Sequence, residues 1–270
     1  MAFARQARAE VLRMVHRAKA SHVGGALSMI DILAALYGPG GRLRANPRQP
    51  DWPERDRFIL SKGHACTGLY ATLALAGFFP LASLESYARD GSALMSHASH
   101  TVDGIELSTG SLGHGLPVGG GLALGARLRG QSWRTVVLLS DGELDEGSNW
   151  EAILFAGHHG LDGLWAIIDA NRIQSLGNVS DVLDLEPLGD KFRAFGWAVV
   201  EVDGHDTAAL HDALDLANPP VRGKPTVVVA RTIKGRGVSF MEDRIAWHYQ
   251  SPSDAQLGAA LTELGADDAQ

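Results

Sequence analysis

Two short stretches of the chain carry side chains able to hold a hard cation. The apolar run 135–139 (TVVLL) leads into Ser140-Asp141-Gly142-Glu143, and the run 164–168 (LWAII) leads into Asp169-Ala170-Asn171-Arg172. Asp141 offers a carboxylate and Asn171 a carbonyl oxygen. Magnesium is commonly held by one or two such groups while phosphate oxygens and water complete its shell, and calcium accepts the same ligand types. Gly142 suits a backbone that must lie against a diphosphate and offer it N–H groups. Taken singly, Asp-Gly is an ordinary turn and Asn an ordinary strand terminator. The pair is more informative, because one predicted helix joins the two runs and a right-handed crossover brings both ends to the same sheet edge.

A second set of residues suits proton transfer. His22, His64, His97 and His248 carry imidazoles whose ordinary pKa near 6.5 fits general acid–base work, although a lone loop histidine is more often polar surface. His97 and His100 raise the question of zinc, but no cysteine or further His-x-x-x-His spacing joins them. His158 and His159 fall at a predicted helix C-terminus, where positive charge is favourable in any case. Cys66 lies in a small-residue helix and reads as packing.

Several of these residues sit in glycine clusters. Glycine makes up 32 of 270 residues, about 12% against a usual 7%. The clusters are SHVGG (21–25), SKGH (61–64), STGSLGHG (108–115), SDGE (140–143) and IKGRG (233–237). Such stretches let backbone approach a ligand closely, though any one of them alone is an ordinary turn.

The elements that must position these groups follow from periodicity. Apolar residues at helical spacing predict a helix over the first 18 residues, which argues against a cleaved presequence despite the arginines there. A second helix is expected over 28–37 with Ser28 as N-cap and Gly38-Pro39-Gly40 as stop, and another over 81–89. The span 91–113 reads as a long loop. A short apolar piece at 57–60 ends in SKGH and leads into a small-residue helix through about Ala76, and buried strands at 135–139, 164–168, 197–202 and 225–230 alternate with helices at 116–128, 148–158, 187–195 and 207–217. That alternation predicts an α/β fold with a mostly parallel sheet covered on both faces. The last dozen residues read as a short helix or frayed tail.

Bulk properties narrow the class. A formal net charge of −7 gives no basic face for nucleic acid. A single cysteine fits a reducing, cytoplasmic setting, and no apolar run reaches membrane-spanning length.

In their order and spacing, SHVGGALS, DRFILSKGHA, STGSLGHG, SDGELDEGSNWEA and the stretch from Asn171 to Gly177 resemble successive signatures of the transketolase family's N-terminal half. The acidic–glycine pair with an asparagine 30 residues on is similar to that wider superfamily's thiamine diphosphate motif. The resemblance implies a single diphosphate-binding domain over 1–270, with Asp141, Asn171 and the Ile173 carbonyl on Mg²⁺ or Ca²⁺ and Gly142 against the diphosphate. It places backbone groups of Gly110 and Leu112 at the aminopyrimidine, and His64 and His248 at the diphosphate. His22, His64 and His97 would line a donor-sugar channel, Asp169 would orient the cofactor side, and Glu146 would meet its counterpart across a subunit interface. Two departures stand out: Ser140 where many relatives have Gly, and Tyr249 after His248 where Gly is commoner.

By the same resemblance, the pyrimidine-binding half and its activating glutamate are missing, and nothing after residue 237 can encode them. The implied partner is a C-terminal transketolase subunit in an α₂β₂ assembly that moves a two-carbon ketol unit between sugar phosphates. The alternatives are a 1-deoxyxylulose-5-phosphate synthase-like condensation, or a non-catalytic thiamine diphosphate-binding module.

Overall fold

The four expected strands form, and the short apolar piece at 57–60 is a fifth: β1 (Arg57–Leu60), β2 (Thr135–Ser140), β3 (Leu164–Ala170), β4 (Ala198–Asp203) and β5 (Thr226–Arg231). A computed structural model describes residues 2–266. The strands pair in the order β1-β2-β3-β5-β4, every pair parallel. Ten α-helices are found among the described residues. In chain order they are α1 (Ala2–Ala18), α2 (Val23–Ser28), α3 (Ile30–Tyr37), α4 (Cys66–Leu75), α5 (Gly115–Leu128), α6 (Gly147–His158), α7 (Val179–Val182), α8 (Leu188–Ala194), α9 (Thr207–Ala213) and α10 (Asp254–Glu263).

Successive strand residues point to opposite faces, so continuous apolar runs must fill two cores. Val136, Leu138, Trp165, Ile167, Val228 and Ala230 join a core with α1–α4 and α9, whereas Val137, Leu139, Ala166, Ile168, Val227 and Val229 join one with α5, α6 and α8. Fully burying a side chain of this size contributes roughly 1.5–3 kcal/mol, which is why the sheet forms the rigid part of the molecule. Gly119 lets α5 lie directly on β2, since a Cβ there would come within 2.5 Å of Val137 Cγ2. The arginine-rich first segment is a core helix, with Val11, Leu12, Met14 and Val15 fully buried.

The local expectations need three corrections. Ser28 caps no helix: it ends α2, and α3 begins at Ile30. Its hydroxyl lies instead 2.6 Å from Asp169 Oδ2 and 3.1 Å from the Gly25 carbonyl oxygen, because donating to a buried carboxylate makes a strong, charge-assisted hydrogen bond. The segment 81–89 forms only a 3₁₀ stretch, Leu81–Ser86; its two buried residues, Leu84 and Tyr87, are too few to hold a longer helix. The C-terminal helix starts earlier than expected, at Asp254, where Ser253 and Gln256 form a capping box. Residues 267–270 lie outside the described residues.

A parallel sheet places all its strand C-termini on one edge. Register aligns Leu60 with Leu138, Ser140 with Asp169, and Asp169 with Ala230. The residues that follow β1, β2, β3 and β5 are therefore gathered at that edge.

Candidate functional site

At this edge lies a cleft of about 250 Å³, lined by His22, Lys62, His64, His97, Gly110, Leu112, Asp141, Gly142, Asn171, Ile173, Lys234 and His248, among others. Four strand ends supply its floor: Lys62 after β1, Asp141 after β2, Asn171 after β3 and Lys234 after β5. The long loop 91–113 brings His97, Gly110 and Leu112, and the turn before α2 brings His22.

Asp141 is 5% exposed and its carboxylate is fixed by two backbone donors, Gly142 N–H at 2.8 Å and Arg172 N–H at 2.5 Å. Burial, reinforced by the nearby Asp169 charge, pushes its carboxyl up to about 6. A carboxylate held this way favours a bound cation over water. Asn171 Oδ1 accepts from Ile173 N–H at 3.2 Å, which turns the side chain back over its own loop. The Ile173 carbonyl oxygen accepts from Lys234 Nζ at 2.8 Å. One carboxylate and two neutral oxygens form a donor set that fits magnesium or calcium with anionic oxygens completing the shell. Gly142 is needed beside it, since a Cβ there would come within 2.7 Å of Gln174 Cβ.

Beneath these ligands Asp169 is wholly buried. Its carboxylate pairs with Lys62 and accepts from Thr232 Oγ1, from Ser28 Oγ at 2.6 Å and from Asn171 Nδ2 at 3.3 Å. Burial alone would raise its pKa, but the Lys62 charge and these donors outweigh it and hold the carboxyl below the usual range. Asp169 is thus a foundation that orients Lys62 and Asn171, and it does not line the cleft.

The histidines form a cluster. The His22 ring centroid lies 5.1 Å from that of His64, 5.0 Å from His248 and 6.3 Å from His97. Burial, with neighbouring His97 and Lys234, lowers His22 to about 4; burial and Lys234 lower His248 to about 3; and burial with Lys62 holds His64 well below its ordinary value. All three are neutral at pH 7, able to accept or donate a hydrogen bond without carrying charge. His22 adopts a left-handed backbone, φ 71°, rare for a residue with a side chain. Its N–H donates to the His248 carbonyl at 2.8 Å, which helps hold that conformation.

The sequence reading missed Lys62 and Lys234, 1% and 2% exposed. Burial and the charge of Lys62 lower Lys234 to about 8. The signal was present: each is the cation inside a glycine cluster, SKGH and IKGRG, and a lysine is seldom buried without a partner. Glu143 was missed as well; it is buried, accepting from Ser61 Oγ at 2.5 Å and from Gly113 N–H at 3.0 Å, and so ties the loop before α5 to the end of β2. Glu146 lies outside the cleft, exposed at the N-terminus of α6.

A family model described as "Transketolase, thiamine diphosphate binding domain" matches residues 2–270. The chain belongs to the transketolase family. It is 44% identical over 245 residues to the 6-deoxy-6-sulfo-D-fructose transketolase subunit of Clostridium sp. (strain MSTE9), covering 90% of this chain and 88% of the relative. It is also 44% identical over 244 residues to an apulose-4-phosphate transketolase subunit of Actinobacillus succinogenes, covering 90% and 87%. A solved transketolase from Pichia stipitis superposes with a TM-score of 0.93 at 31% identity, over all of this chain but only 41% of that one. The fold expected from the transketolase resemblance is therefore the fold observed. No helix among the described residues is long and apolar enough to cross a membrane.

Proposed function

We propose that this transketolase-family chain is the diphosphate-binding subunit of a thiamine diphosphate-dependent enzyme that transfers a two-carbon ketol unit, completed by a second subunit carrying the pyrimidine-binding half. The observation that carries this reading is the meeting of four parallel strand ends at one cleft, with Asp141 and Asn171 facing a lysine- and histidine-rich wall.

In this reading Asp141, Asn171 and the Ile173 carbonyl hold Mg²⁺, and Gly142, His64 and His248 contact the diphosphate. When bound, the thiazolium supplies the acyl-anion equivalent needed to break a C–C bond beside a ketone. Lys234 donates to the Ile173 carbonyl, which sets its ammonium beside these groups, where it would supply positive charge to a bound diphosphate. Backbone groups of Gly110 and Leu112 meet the aminopyrimidine. His22, His64 and His97 line the donor path, where neutral imidazoles exchange hydrogen bonds with sugar hydroxyls. Glu146, exposed at the N-terminus of α6, is our candidate for the subunit interface, and two copies of each half would give an α₂β₂ assembly. Both relatives from split enzymes are named for ketoses with an anionic end, a sulfonate or a phosphate, which supports a donor of that class here.

The test is calorimetry with magnesium and thiamine diphosphate. Asp141→Ala removes the one charged ligand, so it should lose magnesium-dependent affinity while keeping its fold. Unchanged affinity sinks the assignment.

A further inference from the structure

Lys234 is controlled from behind as well as from the cleft. Its loop, 232–237, leaves β5 and is gripped on both sides of the lysine by a buried network. Arg8 on α1 donates to both carboxylate oxygens of Asp31, at 3.1 and 2.6 Å, while its Nε donates to the Arg236 carbonyl at 3.0 Å. Asp31 Oδ2 lies 2.8 Å from His205 Nδ1, and His205 Nε2 lies 2.8 Å from the backbone nitrogen of Ile233. A backbone N–H can only donate, so Nε2 carries the lone pair, and the proton on Nδ1 goes to Asp31. The three side chains are 8–9% exposed, and none of them lines the cleft. Gly204 lets the His205 turn press on the loop, since a Cβ there would meet the Thr232 methyl at 2.4 Å.

We infer that Arg8, Asp31 and His205 form a positioning network for Lys234. His205 fixes the Ile233 amide and Arg8 fixes the Arg236 carbonyl, so the short loop between them presents the ammonium to the Ile173 carbonyl and, at 3.1 Å, to His248 Nδ1. Arg8 and Asp31 hold His205 in the one tautomer that can accept from Ile233. The inference rests on the reading of the cleft as a diphosphate site.

The test titrates the 270-residue chain with magnesium and thiamine diphosphate, comparing wild type, His205→Ala, His205→Gln, Lys234→Ala and the His205→Ala/Lys234→Ala double variant. Groups that orient a cation site from behind typically contribute 10–100-fold. His205→Ala should bind roughly 10-fold more weakly, and His205→Gln, whose amide can accept from Ile233 and donate to Asp31, should recover most of that loss. Adding His205→Ala to Lys234→Ala should cost nothing further, since both act through one ammonium. Full losses that multiply in the double variant, or unchanged affinity in His205→Ala, overturn the proposal. Unchanged affinity in Lys234→Ala also overturns it, through its endpoint; the cation site itself is judged separately by Asp141→Ala. Hydrogen exchange provides a readout without cofactor: amides 233–237 should exchange faster in His205→Ala while those of α1 and the sheet do not. A uniform rise across the molecule reduces the network to general stability and refutes positioning.

Discussion

Lys62→Met is the sharpest test of how the site is built. Lys62 and Asp169 form an ion pair with side chains 1% and 0% exposed. Methionine roughly keeps the volume and removes the charge. Asp169 would retain Ser28 Oγ, Thr232 Oγ1 and Asn171 Nδ2 as donors, but Lys62 is the only cation in contact with it among the described residues. Removing one partner of a buried pair costs about 3–5 kcal/mol, because the survivor is left charged and desolvated. Each kcal/mol moves Tm by about 2–4 °C in a domain of this size, so a fall of roughly 6–20 °C is expected. Urea unfolding followed by circular dichroism at neutral pH gives the free energy directly. Asp169→Asn in the Lys62→Met background removes the stranded charge, and the two changes should show a coupling of about 2–3 kcal/mol.

The pH dependence of that difference has a fixed sign. In the wild type the Asp169 carboxyl is held below its unfolded value, so its contribution is present above about pH 4 and fades as pH falls through the folded pKa. In the methionine variant the carboxyl loses its cation and protonates more readily, so the gap between the two proteins narrows towards pH 4. A loss under about 1 kcal/mol at pH 7, or fully additive effects in the double variant, refutes the view of this pair as the foundation of the site.

His22, His64 and His248 have folded pKa values lowered to about 4, well below 6.5 and about 3, so the unfolded chain takes up their protons first. Stability should hold above about pH 7 and decline from pH 6.5 towards 4; urea midpoints that stay flat to pH 4 contradict the neutral cluster. His22→Ala and His64→Ala should fold normally and lose roughly 10²–10⁴ in kcat/KM in the enzyme reconstituted with its partner subunit, and near-wild-type turnover in both would return them to ordinary polar surface. The chain by itself should give no ketol transfer until the partner is added, so robust turnover by the pure polypeptide overturns the split-enzyme proposal.

Most of the fold was legible because its signals are long-range averages: four apolar strand runs spaced by helical pattern leave few arrangements besides a doubly covered parallel sheet. The misreadings were all local competitions. Ser28 looked like a cap because nothing in its neighbourhood shows Asp169, 141 residues away, competing for its hydroxyl. The 81–89 segment had helical spacing but only two side chains reaching the core, Leu84 and Tyr87. In the site, residues that line the cleft announce themselves by type and motif, as Asp141, Asn171 and the four histidines did. Residues that hold those groups in place are marked more faintly: Lys62 and Lys234 show only as the cation of a glycine cluster, and their partners, like those of Glu143, became visible only when strands remote in sequence were laid side by side.

The position of that supporting layer also follows from the sheet. Where a parallel strand ends, the residues beyond it leave the ladder, and their buried polar groups beyond β1, β2, β3 and β5 must find other partners close to that edge. Asp169 meets that demand from inside β3, in register with Ser140 on one side and Ala230 on the other. A carboxylate at this register can reach Lys62 after β1, Asn171 after its own strand and Thr232 after β5 together. One register step either way would turn the side chain to the opposite face of the sheet, into the core that holds Ile168 and Val229. The cleft pair Asp141 and Asn171 therefore depends on strand register as much as on its own identity, and a slip of β3 by one residue would dismantle the cleft without changing a single residue that lines it.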